Sequence, residues 1–270
     1  MSAPGETSVA RGGPLRSLNA LAKLAGPVPV MIALVFTRGV PLPLAFAVFA
    51  ALVLLLGARL GLRWILVVVL GVPALAALLG VSFGIWVDPA TLPAGAPGAE
   101  LVLAQLGDWR FTGAMYLVGL ATALRIAAII LLAFISGLTT TGAELVRALV
   151  QQLRVPYRLG YTALAAMRFV PRFGHELEVI RAARRVRGVD RGRGPIAWLR
   201  STVGLAVPLL ASAIRHAERV ALAMDARAFG ASGSRTERTI SSWRARDTLF
   251  VIGFWLAAGL LWWAVEAAVA

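Results

Sequence analysis

Hydrophobic positions along this chain come in blocks rather than in alternation. Five stretches are almost wholly apolar: residues 24–37, 40–56, 64–86, 115–138 and 249–269. A helix needs about 20 apolar residues to cross a bilayer. The last three stretches meet that length, and the first, interrupted by Pro27 and Pro29, is the weakest. Thr37-Arg38-Gly39 separates the first two so briefly that they predict a tight helical hairpin. Trp64 and Trp86 bracket the third stretch, and Trp262 and Trp263 sit near the end of the fifth, where aromatic residues anchor at an interface. The pattern predicts an all-α, polytopic membrane protein with about five transmembrane helices.

Between the fourth and fifth stretches the pattern changes to amphipathic. Residues 142–154 place Leu145, Ala148, Leu149 and Leu153 on one helical face. Thr139 to Thr141 can cap that helix, Glu144 suits its positive end, and Val155-Pro156 stops it. Residues 157–187 read as a long helix, apolar over 159–170 and charged after it, with a kink expected near Arg168 from Pro171 and Gly174. Glu178, Arg181 and Arg185 share one face, and Leu177, Ile180 and Ala183 continue an apolar stripe beside it. Residues 195–229 repeat the scheme: Pro195 opens the helix, 203–214 is apolar, and 215–227 is charged. The apolar halves are too short to span unaided and suit helices lying along the interface.

Composition narrows the class. The chain is 59% apolar with mean hydropathy +0.79, far above a soluble domain. It has no cysteine, which excludes disulfides and thiolate metal sites. The formal charge is +14, and its placement predicts the topology. Arg11, Arg16 and Lys23 precede the first stretch, Arg59 and Arg63 link the second and third, and residues 142–247 carry 19 Arg against eight acidic residues. The loop 87–112 instead carries Asp88, Glu100 and Asp108 with a single Arg110. With the N-terminus inside, these three basic regions fall in the cytoplasm and the acidic loop falls outside. Residues 1–13, polar and rich in Gly and Pro, predict a disordered cytoplasmic tail.

Few residues suggest chemistry. There is no GxxxxGK[ST] phosphate loop, and Lys23 is the only lysine. His175-Glu176 and His216-Ala217-Glu218 have no companion ligands, so no catalytic residue, metal or cofactor is expected. Arg125 lies inside the fourth stretch, where a charge either serves function or pairs within the bundle. The basic block would tolerate nucleic acid electrostatically, but its apolar halves argue against it and favour anionic lipid as an accessory contact. Both long helices end alike, in Arg187-Gly188 and Arg227-Ala228, 40 positions apart. Spacing alone leaves these arginines as helix caps, lipid contacts or partner contacts.

Several runs together resemble a family. They are Thr139-Thr140 through Glu144-Leu145-Val146-Arg147-Ala148-Leu149, Val155-Pro156-Tyr157-Arg158, Arg168-Phe169-Val170-Pro171, Arg184-Arg185-Val186-Arg187-Gly188-Val189-Asp190, and Ala221-Leu222-Ala223-Met224-Asp225-Ala226-Arg227-Ala228-Phe229-Gly230. Their order and spacing resemble the transmembrane T component of energy-coupling factor (ECF) transporters, the class of CbiQ-type and BioN-type proteins. The resemblance runs from about Leu18 to the C-terminus. The family hallmark is a pair of Ala-Arg-Gly or Ala-Arg-Ser motifs ending two coupling helices. Here the first is Val186-Arg187-Gly188, with Val for Ala, and the second is Ala226-Arg227-Ala228, with Ala for Gly.

The resemblance implies that these two motifs dock into two ABC-type ATPase subunits, with Arg168, Pro171, Arg184 and Asp225 supporting the coupling helices. It implies a separate substrate-binding S component that delivers a vitamin or a transition-metal ion such as cobalt or nickel, in a bacterial cytoplasmic (inner) membrane. The implied domains are a cytoplasmic tail (1–23), a four-span region (24–138), a cytoplasmic coupling domain (139–247) and a C-terminal span (248–270). The chain itself would be non-catalytic and bind neither ATP nor the substrate; its apolar halves and flanking spans separately argue against nucleic acid. The alternatives are a stand-alone permease or a membrane-embedded enzyme.

Overall fold

The computed structural model describes residues 13–93, 95–106, 109–188, 194–229 and 239–269, without the side chains of Leu106, Arg168, Pro171, Pro195 and Trp198. Of the disordered tail read over residues 1–13 only Gly13 is described, while the cytoplasmic tail read over 1–23 contains the start of the first α-helix, at Ala20. The chain forms two compact units, one of residues 4–148 with 241–270 and the other of 149–240. Among the described residues the chain is all-α apart from one small β-hairpin.

In the first unit, α1 (Ala20–Ala25) and α2 (Pro27–Val35) form one short apolar helix that α3 (Pro41–Gly57) follows. The helix begins at Ala20, earlier than the apolar run suggests. Asn19 caps it by accepting from the Leu21 amide at 3.0 Å. Lys23 is tolerated inside it because its Nζ donates to the Thr139 carbonyl at 2.9 Å. Next come α4 (Leu62–Leu66), a π turn (Val67–Gly71) and α5 (Val72–Ile85), which together make one 24-residue helix. Pro73 cannot donate a backbone hydrogen bond, and the widened turn absorbs that loss. The predicted acidic loop contains β1 (Val102–Leu106) and β2 (Trp109–Thr112), paired antiparallel with a register break between Val102 and Ala104. The hairpin leads straight into α6 (Gly113–Gly137). The C-terminal α10 (Ala245–Val269) opens on buried Asp247, which accepts from the Arg244 amide and from the Asn19 amide, both at 2.8 Å.

Three of these helices, Leu62–Ile85, α6 and α10, are long and apolar enough to cross a membrane, while Ala20–Val35 and α3 are shorter. α6 is the hub. Its Ala128, Leu131, Leu132 and Ile135 pack with Leu34 of α2, Phe46, Ala50 and Leu54 of α3, and Phe254 and Ala258 of α10. Against α5 the contact is backbone to backbone: a Cβ on Gly119 would lie 2.2 Å from the Gly80 carbonyl oxygen. Gly80 and Gly84 form the small-xxx-small face that such close approach requires in a bilayer. The outward side chains are apolar, with Leu78, Leu256 and Leu260 each more than 60% exposed. Such a surface is stable only against lipid or another protein.

Two side chains repair backbone breaks in this unit. The Trp255 indole donates to the carbonyls of Ala25 and Gly26, both at 3.2 Å. Pro29 leaves the Ala25 carbonyl without its helical donor, so the indole replaces it. Arg125, midway along α6, donates through Nη2 to the Thr37 carbonyl just past the end of α2. The intramembrane arginine thus pairs within the bundle, where it satisfies a helix-end carbonyl.

The second unit contains the end of α7 (Gly142–Gln152), with α8 (Tyr157–Val186) and α9 (Pro195–Asp225). A reciprocal capping box starts α7: Thr141 Oγ1 accepts from the Glu144 amide, and Glu144 Oε2 accepts from the Thr141 amide. α8 runs unbroken for 30 residues through Pro171.

Candidate docking site

α8 and α9 lie antiparallel, and four contacts fix their register. Tyr157 meets Phe229 with ring centroids 5.8 Å apart, and Phe169 stacks on His216 at 4.5 Å. Ser212 Oγ donates to Glu176 Oε2 at 3.0 Å, and Arg184 Nη1 donates to the Ser201 carbonyl at 3.2 Å. The start of each helix therefore sits beside the end of the other. Thirty helical residues rise about 45 Å, so Arg187 and Arg227 stand at opposite ends of the pair.

The two ends terminate by the same device. Gly188 adopts a left-handed φ of +70°, and its amide donates to the Arg185 carbonyl at 3.1 Å. Ala228 adopts a left-handed φ of +52°, and its amide donates to the Asp225 carbonyl at 2.9 Å. Phe229 closes the second end by donating to the Met224 carbonyl at 3.0 Å, completing a Schellman termination. A small residue is required after each arginine because most side chains are strained in that backbone region. The arginine itself is held at the rim of the final turn, where the helix dipole favours a cation. Val186, Arg187, Gly188, Asp225, Ala226, Arg227 and Ala228 are all exposed, Val186 by 90%. Val189, Asp190 and Gly230, which follow the two endings, lie outside the described residues.

Arg184 does not join either exposed end. Its guanidinium turns onto α9 and donates to the Gly204 carbonyl as well as to Ser201. Pro208 lies inside α9 and cannot donate to that Gly204 carbonyl, so Arg184 fills the vacancy. A Cβ at Gly204 would sit 3.0 Å from Arg184 Nη2, so a larger residue there would make the guanidinium shift. Pro208 four residues after Gly204 is a readable signal of a free carbonyl, but only the fold reveals the donor. Arg168 and Pro171 lie within α8, and their side chains are outside the described set. The candidate histidines do not converge: His216 stacks on Phe169 and His175 is exposed. Among the described residues no group of three or more His, Asp or Glu side chains is placed to hold a metal ion.

The family profile described as CbiQ, cobalt transport protein, matches residues 12–238. The chain belongs to the CbiQ family. Relatives called energy-coupling factor transporter transmembrane protein EcfT are similar to it. The one from Streptococcus equi subsp. equi (strain 4047) is 34% identical over 159 residues, covering 56% of this chain and 59% of the relative. The Bacillus subtilis (strain 168) relative is 30% identical over 168 residues, covering 59% and 63%. The Thermotoga maritima relative is 37% identical over 109 residues, covering 40% and 39%. The chain spans about three fifths of the length of the first two of these relatives. The matched profile takes in both α8 and α9, and with them both arginine endings.

Proposed function

We propose that this CbiQ-family chain is the transmembrane coupling subunit of an ECF-type importer. Arg187 and Arg227 each dock into one of two ABC-type ATPase subunits. A separate S component carries the cargo, a vitamin or a transition-metal ion. The observation that supports this most is the pairing of two arginine endings, each followed by a left-handed residue, at opposite ends of one antiparallel helix pair. A pair of ATPase subunits that close and part on ATP would grip both ends of such a lever at once. The relatives' name and the family description point to the same class of machine.

The helix pair has the surfaces this role needs. Val203, Val207, Leu210 and Ile214 recur at three- and four-residue spacing on α9, each more than half exposed. That stripe would bear on the S component and the membrane surface, while the charged ends meet the ATPases. We assign residues 139–247 to the cytoplasm and the N-terminus to the same side, in a bacterial inner membrane, on the positive-inside distribution. Catalysis would reside in the partner ATPases.

Affinity purification of the tagged chain from native membranes tests the proposal. Recovery of two ATPase subunits and a small membrane-embedded binding protein is expected. A chain that comes out alone and transports unaided would contradict it.

A further inference from the structure

The Arg227 end of the helix pair is built from three elements. Tyr157, the first residue of α8, packs its ring on Phe229, which closes the Arg227 termination. Three residues before Tyr157 is Arg154, in the short link that follows α7. Arg154 is exposed and holds a left-handed φ of +55°. It and Ala228 are the two described non-glycine residues with positive φ, and both lie at this one end. Left-handed backbone costs a side-chain-bearing residue free energy that Gly would avoid, and such strain gathers at functional sites. Gln151, at the end of α7, donates to the Thr239 carbonyl at 2.9 Å, which ties the α7 terminus to the segment that follows α9.

We propose that Arg154 belongs to the docking surface centred on Arg227 and meets an acidic face of the same ATPase subunit. This rests on the coupling-subunit reading. The tie through Tyr157 and Phe229 places the Arg154 link beside the Arg227 turn, so one partner surface reaches both. Arg154 sits in the turn that ends α7, where the Val155 amide donates to the Leu149 carbonyl at 3.3 Å, and it holds there a charge that a glycine would lack.

Arg154→Gly separates charge from backbone. Glycine accepts φ +55° without strain, so the variant folds at least as stably as the parent. We expect it to bind the ATPase subunits about fivefold more weakly, the effect of one exposed charge pair. Arg154→Lys should retain most of the affinity, and Arg227→Glu should lose far more. The measurement is ATPase affinity for the full-length chain in lipid nanodiscs, with thermal unfolding recorded alongside. Unchanged affinity in Arg154→Gly, with affinity lost in Arg227→Glu, would overturn this inference while leaving the coupling reading intact. Affinity unchanged in both would overturn the two together.

Discussion

Ala228 carries a methyl group in a backbone region where glycine would be free of strain. Ala228→Gly is therefore expected to stabilise the protein by about 1 kcal/mol, read as a raised thermal unfolding midpoint in detergent. Docking should be unaffected, because the Schellman hydrogen bonds persist. This residue also shows a limit of the sequence. The pattern predicts a helix to residue 229, whereas α9 ends at Asp225. Alanine is a strong helix former and carries no signal of the left-handed turn it takes here. At the other ending Gly188 does carry that signal, and α8 ends at Val186, one residue short of the reading. Arg125 gives a second expectation at this scale. Arg125→Leu leaves the Thr37 carbonyl without its donor and should cost about 1–3 kcal/mol, measured by the same unfolding assay.

The helices themselves were legible where local chemistry fixes them. Thr141 and Glu144 announce α7, Pro195 announces α9, and the long apolar runs announce the spans. What joins the helices was not legible, because it depends on partners distant in sequence. The α5–α6 contact is an example: Gly119 meets Gly80 and Gly84 with no space for a methyl group. Gly119→Ala should force the two helices apart and cost about 1–3 kcal/mol. Gly253→Ala, where nothing lies within 4 Å, should leave the protein at least as stable in the same assay, since alanine is the better helix former. The bond from Arg184 to the Gly204 carbonyl makes a sharper case. Arg184→Ala should cost about 1–2 kcal/mol in the parent protein. In a Pro208→Ala background the cost should shrink, because residue 208 then supplies the missing amide. An unchanged cost in that double-mutant cycle would remove Arg184 from the role.

At the scale of the whole molecule, blocks of apolar residues and the distribution of arginines were enough to read an all-α membrane protein. The β-hairpin at 102–112 escaped that reading, since its short strands sit in a loop defined by charge and proline. The antiparallel pairing of α8 and α9 also escaped it. Forty residues of sequence separate the two arginine endings, but only the folded pair shows that they face opposite ways. The proposed coupling role depends on that separation, because it would offer one end to each ATPase subunit. The most direct measurement is recovery of ATPase subunits with chains carrying Arg187→Glu, Arg227→Glu or both, all with unfolding midpoints matching the parent. The account predicts partial loss for each single variant and near-complete loss for the pair. Undiminished recovery with both substitutions would contradict it.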